Sequence, residues 1–412
     1  MVVLSGADLV LPDRVLASGT LVLADGRIAD IRAERPVAAA ASSFAFHGHT
    51  IVPGFIDLHV HGVAGTDTHD DGQAIERIAG ALPRYGVTAF APTTVACTPE
   101  ALTAVLRQVR HLRQAPVPLG ARVLPAHLES NFINPAYAGA QPHACLRAWP
   151  RAEGPPAAPA PDGTFTASAL IDVIERHAAD IGIVTLAPEL DGALERIAWL
   201  TGLGIRVSLG HSGATYAQAI AAVGAGATQA THLFNRMPSL HHRDPGLAGA
   251  VLDSDHVVAE LICDGVHVHP AAARLAIAAK RASHVMAITD GTAAAGLPRG
   301  SVARLGGRPI IAADACATLD DGTMAGSLLT MDGAFRMLTG TVGVSLPDAV
   351  TMCATTPARA AGLSGHGVLA AGAAADLVVL DRDREVVQTY VAGRLVYSRA
   401  AQALNSGEGS AV

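Results

Sequence analysis

Between about residues 53 and 360 the chain repeats one unit: a short apolar run, a break of small or polar residues, then an alanine-rich segment. Eight apolar runs fit this scheme, at 54–61, 87–94, 122–129, 183–188, 206–211, 227–234, 258–265 and 285–291. The stretches 101–113, 170–179, 216–224 and 271–282 contain good helix formers and no proline, which predicts helices between the runs. Alternation of strand and helix predicts a parallel sheet. Eight units fit an α/β fold of the (β/α)8 TIM-like type, with a doubly wound open sheet as the structural competitor.

The two ends follow a different pattern. Residues 19–24, then Asp25-Gly26, then 27–31 read as a hairpin with a tight turn. Residues 376–381 and 386–391, followed by Ala392-Gly393-Arg394 and 395–397, repeat that style. Neither end is long enough to be stable alone. The expected organisation is therefore a small β-sandwich domain assembled from 1–52 and 361–412, beside a catalytic barrel spanning 53–360. Five prolines between 149 and 163 predict an irregular loop after the third strand.

Composition narrows the function classes. With 412 residues, half of them hydrophobic and 16% charged, the chain can bury a large core. A net charge of -7 argues against a nucleic-acid partner. No apolar run is long enough to predict a membrane span, and no signal peptide is recognisable. Five scattered cysteines form neither a disulfide framework nor a zinc-ribbon pattern, so the cytoplasm is the expected compartment. Of the 29 basic residues only Lys280 is a lysine.

The chemistry collects at the ends of the runs. Run one ends in His59-x-His61 followed by glycine; in an extended strand Asp57, His59 and His61 would share a face. Imidazole is the commonest metal-ligating side chain. Run three ends in His127-Leu128-Glu129, run five in Gly210-His211-Ser212, and run six carries Thr231-His232-Leu233-Phe234-Asn235. Run seven ends in Cys263-Asp264-Gly265 with His267 beyond, and run eight in Thr289-Asp290-Gly291. Barrel enzymes build their sites at the carboxyl ends of the strands, so ligands from strands one, three, five, six and eight are expected at one mouth. His127, one residue off the Glu129 face, is read as a neighbour of the ligands.

This constellation resembles the amidohydrolase superfamily and, within it, the N-acetylglucosamine-6-phosphate deacetylase family. The similarity runs through Pro53-Gly54-Phe55-Ile56-Asp57, Pro188-Glu189, Thr231-His232-Leu233-Phe234-Asn235, Pro245-Gly246-Leu247-Ala248-Gly249, Thr289-Asp290 and Ala325-Gly326-Ser327. The resemblance implies that Glu129, His211 and His232 hold the metal common to these deacetylases. It also implies that His59 and His61, with Glu129 bridging and Asp290 close by, hold a second. One or two divalent ions are expected (zinc, iron, manganese or cobalt). Asp290 resembles the catalytic aspartate, acting as base and then acid toward a metal-bound hydroxide and the leaving amine. His267 resembles the residue that polarises the acetyl carbonyl. Asn235 and Arg236 match the segment that meets the substrate phosphate. Arg243 matches an arginine that grips it from a neighbouring subunit, which implies a homodimer. Ala140, Met324, Ala325 and Gly326 match positions around the sugar. The implied reaction is hydrolysis of an N-acetylhexosamine 6-phosphate to acetate and the amino sugar phosphate.

Two departures matter. Glu129 is followed by Ser130-Asn131-Phe132-Ile133-Asn134-Pro135, and Gln141 stands where the family has a substrate-contacting histidine. This keeps open a different N-acyl or unphosphorylated amino sugar. Run four has no lysine, which excludes the carboxylated-lysine bridge of other superfamily members and leaves Glu129 as the bridge. A non-catalytic scaffold is the alternative from another class; retention of the full ligand set argues against it.

Overall fold

The computed structural model describes residues 1–33, 42–149 and 165–401. Eight strands form the expected barrel: Phe55–Val60, Val87–Thr94, Ala126–Glu129, Ile181–Leu186, Arg206–Leu209, Gln229–Ala230, Val258–Ile262 and Val285–Ile288. Each pairs in parallel with the next. A parallel bridge between Val60 and Gly291 closes the ring. There the Asp290 N–H donates to the His59 carbonyl at 2.9 Å and the His61 N–H to the Gly291 carbonyl at 2.8 Å. The open-sheet competitor is thereby removed.

Helices fall where alanine-rich spacing predicts them, at Pro99–Gln114, Ala167–Arg176, Tyr216–Gly224 and Pro270–Lys280. Their starts are chemically marked. Thr98 and Thr166 accept from the backbone N–H three residues on, and Thr215 with Gln218 forms a reciprocal capping box. The helices pack on the outer wall of the barrel in one large apolar cluster, where Phe55 meets Phe335 at 5.1 Å between ring centroids. A second cluster, including Ile56, Leu58, Ile183, Ile262 and Ile288, joins Ala358 and Ala360 of the helix Thr356–Ala361. Full burial of each such side chain contributes about 1.5–3 kcal/mol. Lys280 is buried and donates to the Ser254 carbonyl, remote from strand four.

Three details depart from the sequence pattern. The third run breaks into Arg122–Val123 and Ala126–Glu129, because Pro125 lacks an N–H for the ladder. The sixth run contributes only Gln229–Ala230 as strand; beyond it His232, Phe234 and Arg236 take positive φ values of 32°, 77° and 52°. After strand eight comes an unanticipated antiparallel sheet of Val302–Leu305, Arg308–Ala312 and Ala317–Thr318.

Both ends meet in one eight-stranded sheet. In it Thr50–Pro53 lies between Val2–Val10 and Leu377–Leu380, and the Val386–Val391 and Arg394–Ser398 strands follow. The two tight turns sit at Asp25-Gly26 and Ala392-Gly393, all four residues with positive φ as such hairpins require. The 149–163 loop expected from sequence lies, apart from Trp149, outside the described residues.

Candidate metal centre and active site

The strand ends bring six side chains to one point. On one side the Nε2 atoms of His211 and His232 lie 2.8 and 3.0 Å from Glu129 Oε1 and 3.0 Å from each other. On the other, His61 Nε2 is 3.4 Å from Glu129 Oε2 and 3.2 Å from Asp290 Oδ1. His59 Nε2 is 3.4 Å from Asp290 Oδ1 and 3.3 Å from His61 Nε2. Glu129 therefore stands between two pairs of histidines. Asp57 does not join them. Strand pairing slips between Asp57 and Val60, so strict alternation fails, and the Asp57 carboxylate accepts from the Thr289 hydroxyl at 2.5 Å.

Hydrogen bonds set the exposed nitrogen of two of the imidazoles. The Tyr137 carbonyl can only accept, so His211 keeps a proton on Nδ1 (2.8 Å) and Nε2 is the nitrogen it turns to Glu129. Likewise His59 donates from Nδ1 to Glu260 Oε2 at 2.9 Å. His127 donates to the Leu58 carbonyl (3.0 Å) and its Nε2 accepts from the Thr185 hydroxyl (2.7 Å). Burial and the neighbouring His59 push His127 down to about 4, so it is a neutral prop under the site.

Electrostatics fit a cation at this point. Burial pulls the His59 and His61 imidazoles down, yet the surrounding carboxylates outweigh it and hold them at about 9 and 10. Burial pushes Glu129 up, but His211, His232 and His61 hold it well below the usual carboxylate range. Buried carboxylates that draw protons this strongly onto the imidazoles beside them suit a cation, which displaces those protons when it binds. Two overlapping triads, His59–His61–Glu129 and Glu129–His211–His232, have donor atoms close enough to share an ion each. The mixed nitrogen and oxygen donors suit a first-row divalent metal.

Above the centre opens a cavity of about 510 Å³. His61, Glu129, His211, His232 and Asp290 form its floor, while Ala140, Gln141, Asn235, Arg236, His267, Met324 and Gly326 line its walls. His59 is wholly buried. Ala325 does not line the cavity; it is buried in the apolar cluster with Ile310 and Leu319. Arg243 is exposed, outside this chain's own cavity, and donates to His242 Nε2 at 2.9 Å.

His267 is held by the Asp264-Gly265 turn. Asp264 Oδ1 accepts the backbone N–H groups of Val266 and His267, and Oδ2 accepts from His267 Nδ1 at 2.6 Å. Burial lowers the His267 imidazole, but Asp264 and then Asp290 overcome it and leave it raised. An imidazolium there has its second N–H available to a carbonyl. Asp290 sits at φ 47°, a conformation that L residues hold only under constraint. Its carbonyl is pinned by the Ser327 N–H at 2.8 Å. Burial raises Asp290, but His59 and His61 pull it below the usual range, so it is ionised.

The altered loop after Glu129 is firmly tied. Ser130 donates to the Thr185 carbonyl, and Asn131 to the carbonyls of Cys97 and Cys145. Glu189 joins three loops by accepting from Asn134, Ser212 and the Gly213 N–H. Gln141 has both ends engaged: its carbonyl oxygen accepts the Ala96 N–H at 2.7 Å, which leaves its amide N–H to donate to Glu129 Oε2. His143 is exposed and does not line the cavity.

Sequence reasoning passed over Glu260, which lies inside an apolar strand and supports His59. It also passed over Tyr137, Phe234 and Leu305 in the cavity wall. Leu305 comes from the antiparallel insert, whose Gly306-Gly307 turn between 302–305 and 308–312 is a legible hairpin signal.

The sequence pattern of the Amidohydrolase family matches residues 50–396. The N-acetylglucosamine-6-phosphate deacetylase of Rattus norvegicus is 38% identical over 412 residues, covering 93% of this chain and 94% of the relative. The N-acetylgalactosamine-6-phosphate deacetylase of Escherichia coli O157:H7 is 35% identical over 377 residues, covering 91% and 94%. Among solved structures, a mutant of the Mycobacterium smegmatis N-acetyl-D-glucosamine-6-phosphate deacetylase in complex with N-acetyl-D-glucosamine-6-phosphate matches with a TM-score of 0.84. It is 32% identical and covers 96% of this chain and 99% of that one. The chain thus belongs to the amidohydrolase family, and within it to the N-acetylglucosamine-6-phosphate deacetylases.

Proposed function

We propose that this protein hydrolyses the N-acetyl amide of N-acetylglucosamine 6-phosphate, releasing acetate and the amino sugar phosphate. The observation that carries the reading is the meeting of Glu129, His211 and His232 on the floor of a cavity of about 510 Å³, with ionised Asp290 beside them. Glu129, His211 and His232 would hold one divalent ion, and His59 and His61 with Glu129 a second. A bound ion supplies Lewis acidity that lowers the pKa of water from about 16 to about 7.

The chain's own groups do the rest. Asp290 accepts the proton of the attacking water and returns it to the amide nitrogen as the C–N bond breaks. His267 donates from its free ring N–H to the acetyl oxygen as charge develops there, a type of contact worth about 3 kcal/mol. Arg236 and Asn235 line the wall where the sugar phosphate is read. Gln141, with its amide turned to Glu129, takes part in holding the bridge as well as in lining the sugar site.

Arg243 is proposed to bind phosphate in a neighbouring active site of a homodimer; its exposure outside its own chain's cavity supports this. Residues 53–360 are the catalytic unit in this reading, with 1–52 and 361–412 as the companion β unit. The scattered, odd cysteine count supports a reducing compartment such as the cytoplasm.

The test is acetate release from N-acetylglucosamine 6-phosphate, N-acetylgalactosamine 6-phosphate and both unphosphorylated sugars, with each of several divalent metals and after chelation. The phosphorylated glucosamine derivative is expected to give the highest kcat/KM, and chelation to abolish turnover. Equal rates on the unphosphorylated sugars would sink the substrate assignment; full activity after exhaustive chelation would sink the metal role.

A further inference from the structure

We propose that Glu260 is a positioning residue that sets both halves of the metal centre through one carboxylate oxygen. The inference rests on the metal-dependent reading given above. Glu260 lies in the strand Val258–Ile262, is fully buried, and does not line the cavity. It is therefore no candidate for contact with substrate. Yet a carboxylate without solvent is strongly disfavoured unless it is paired and hydrogen-bonded, so its neighbours define its use.

Its Oε2 accepts twice. One donor is His59 Nδ1 at 2.9 Å and the other is the backbone N–H of His232 at 3.1 Å. Those two residues come from strand one and from the segment after strand six, and they belong to opposite triads around Glu129. The first bond decides the His59 tautomer. A carboxylate can only accept, so a proton stays on Nδ1, and Nε2 is the nitrogen turned to His61, Glu129 and Asp290 and left to an ion. The second bond restrains a residue that needs restraint. His232 has φ 32°, and the strand before it pairs through only Gln229 and Ala230. Among the described residues nothing else accepts that N–H.

The other oxygen, Oε1, has no hydrogen-bond partner and lies 3.8 Å from His127 Nδ1, which is already committed to the Leu58 carbonyl. All the side-chain hydrogen bonding of Glu260 is thus directed at the two ligand-bearing segments. Outer groups of this kind change metal affinity by about 10–100-fold when removed.

The experiment compares wild type, Glu260→Gln and Glu260→Leu as full-length chains, stripped by chelation. Each is titrated with Zn²⁺ and with Mn²⁺ against a chromophoric chelator, with bound metal counted by mass spectrometry after gel filtration and the apo protein melted in parallel. Glu260→Leu is expected to weaken metal binding by about 10–100-fold. Glu260→Gln is expected to fall between, because its amide oxygen still accepts one of the two N–H groups. If Glu260→Leu does not fold, Glu260→Gln decides alone. Wild-type metal affinity in the variants overturns the proposal while leaving the metal reading intact. So does a lowered melting temperature with affinity unchanged, which assigns a purely structural role. A wild-type protein that binds neither ion overturns the metal reading and this inference together.

Discussion

The proposed role of His267 as a charged hydrogen-bond donor depends on Asp264 standing behind it. Burial alone would strip its proton; the 2.6 Å contact to Asp264 Oδ2 reverses the outcome and keeps it charged above its ordinary value of 6.5. A group with a raised pKa holds its charge at low pH and loses it as pH rises through that raised value. Asp264→Asn removes the compensating charge while keeping an acceptor. The alkaline limb of the kcat/KM profile is expected to move to lower pH, with kcat falling more than KM rises; an unmoved limb would remove His267 from the proton inventory. At this scale much of the site was legible. His59, His61, Glu129, His211, His232 and Asp290 stand at the ends of apolar runs, where polar residues are conspicuous. Glu260 was not, because it sits inside such a run, and only the pairing of strands shows that its carboxylate reaches two segments 201 and 28 residues away.

Among the elements, the loops after the strands hold His211, His232 and Asp290 in conformations the strands alone would not give. Gly326 shows how tightly. With φ 69°, an added Cβ would lie 2.6 Å from Thr292 Cγ2 and 2.9 Å from the Asp290 carbonyl oxygen. Gly326→Ala is expected to cost about 2–4 kcal/mol in urea unfolding, from backbone strain and overpacking, and to lower kcat by displacing Asp290. Stability and kcat close to wild type would show that this loop does not hold the aspartate. Gly62, directly after the histidine pair, is constrained by space alone: a Cβ would meet the Thr66 carbonyl oxygen at 2.3 Å. Helices and most strands were readable from periodicity, since helix formers and apolar runs alternate cleanly. The break at Pro125 and the brevity of strand six were not, because ladder hydrogen bonds depend on the neighbouring strand. The antiparallel insert escaped notice for another reason: its strands are half exposed and lack the long apolar run by which the others were found.

For the whole molecule, the terminal sheet is clasped to the barrel by Asp376. Its carboxylate accepts two bonds from Arg122, at 3.0 and 3.1 Å, one from the Ala392 N–H, and faces His366 at 3.0 Å. Burial raises Asp376, but His366 and Arg122 outweigh it and leave it lowered. A lowered carboxylate contributes stability above its unfolded value of about 3.8 and loses it as pH falls through the folded value. Asp376→Asn is expected to cost about 2–3 kcal/mol at neutral pH, less than a fully buried pair because a third of Arg122 meets solvent. The difference from wild type should shrink as pH falls below the unfolded value and vanish only below the folded one, as measured by urea midpoints. A pH-independent difference would mean that packing, not charge, is responsible. Assembly gives the second prediction at this scale. Arg243→Ala should raise KM for the phosphorylated sugar at least tenfold with little change in kcat, the loss of one charge-assisted contact of about 1.5–3 kcal/mol. An unchanged KM would refute its phosphate role.

The sequence by itself determined the alternation of strands and helices, the metal-type residues at the strand ends, and the absence of a lysine bridge, because each is a property of local pattern or composition. Tertiary structure alone decided that Asp57 turns from the histidine pair to Thr289, that Gln141 bonds Glu129, and that Glu260 supports the site from below. Such choices depend on which donors and acceptors meet across the closed barrel. A buried polar group takes whatever partner the neighbouring strands bring within reach, and spacing along one chain does not contain that information.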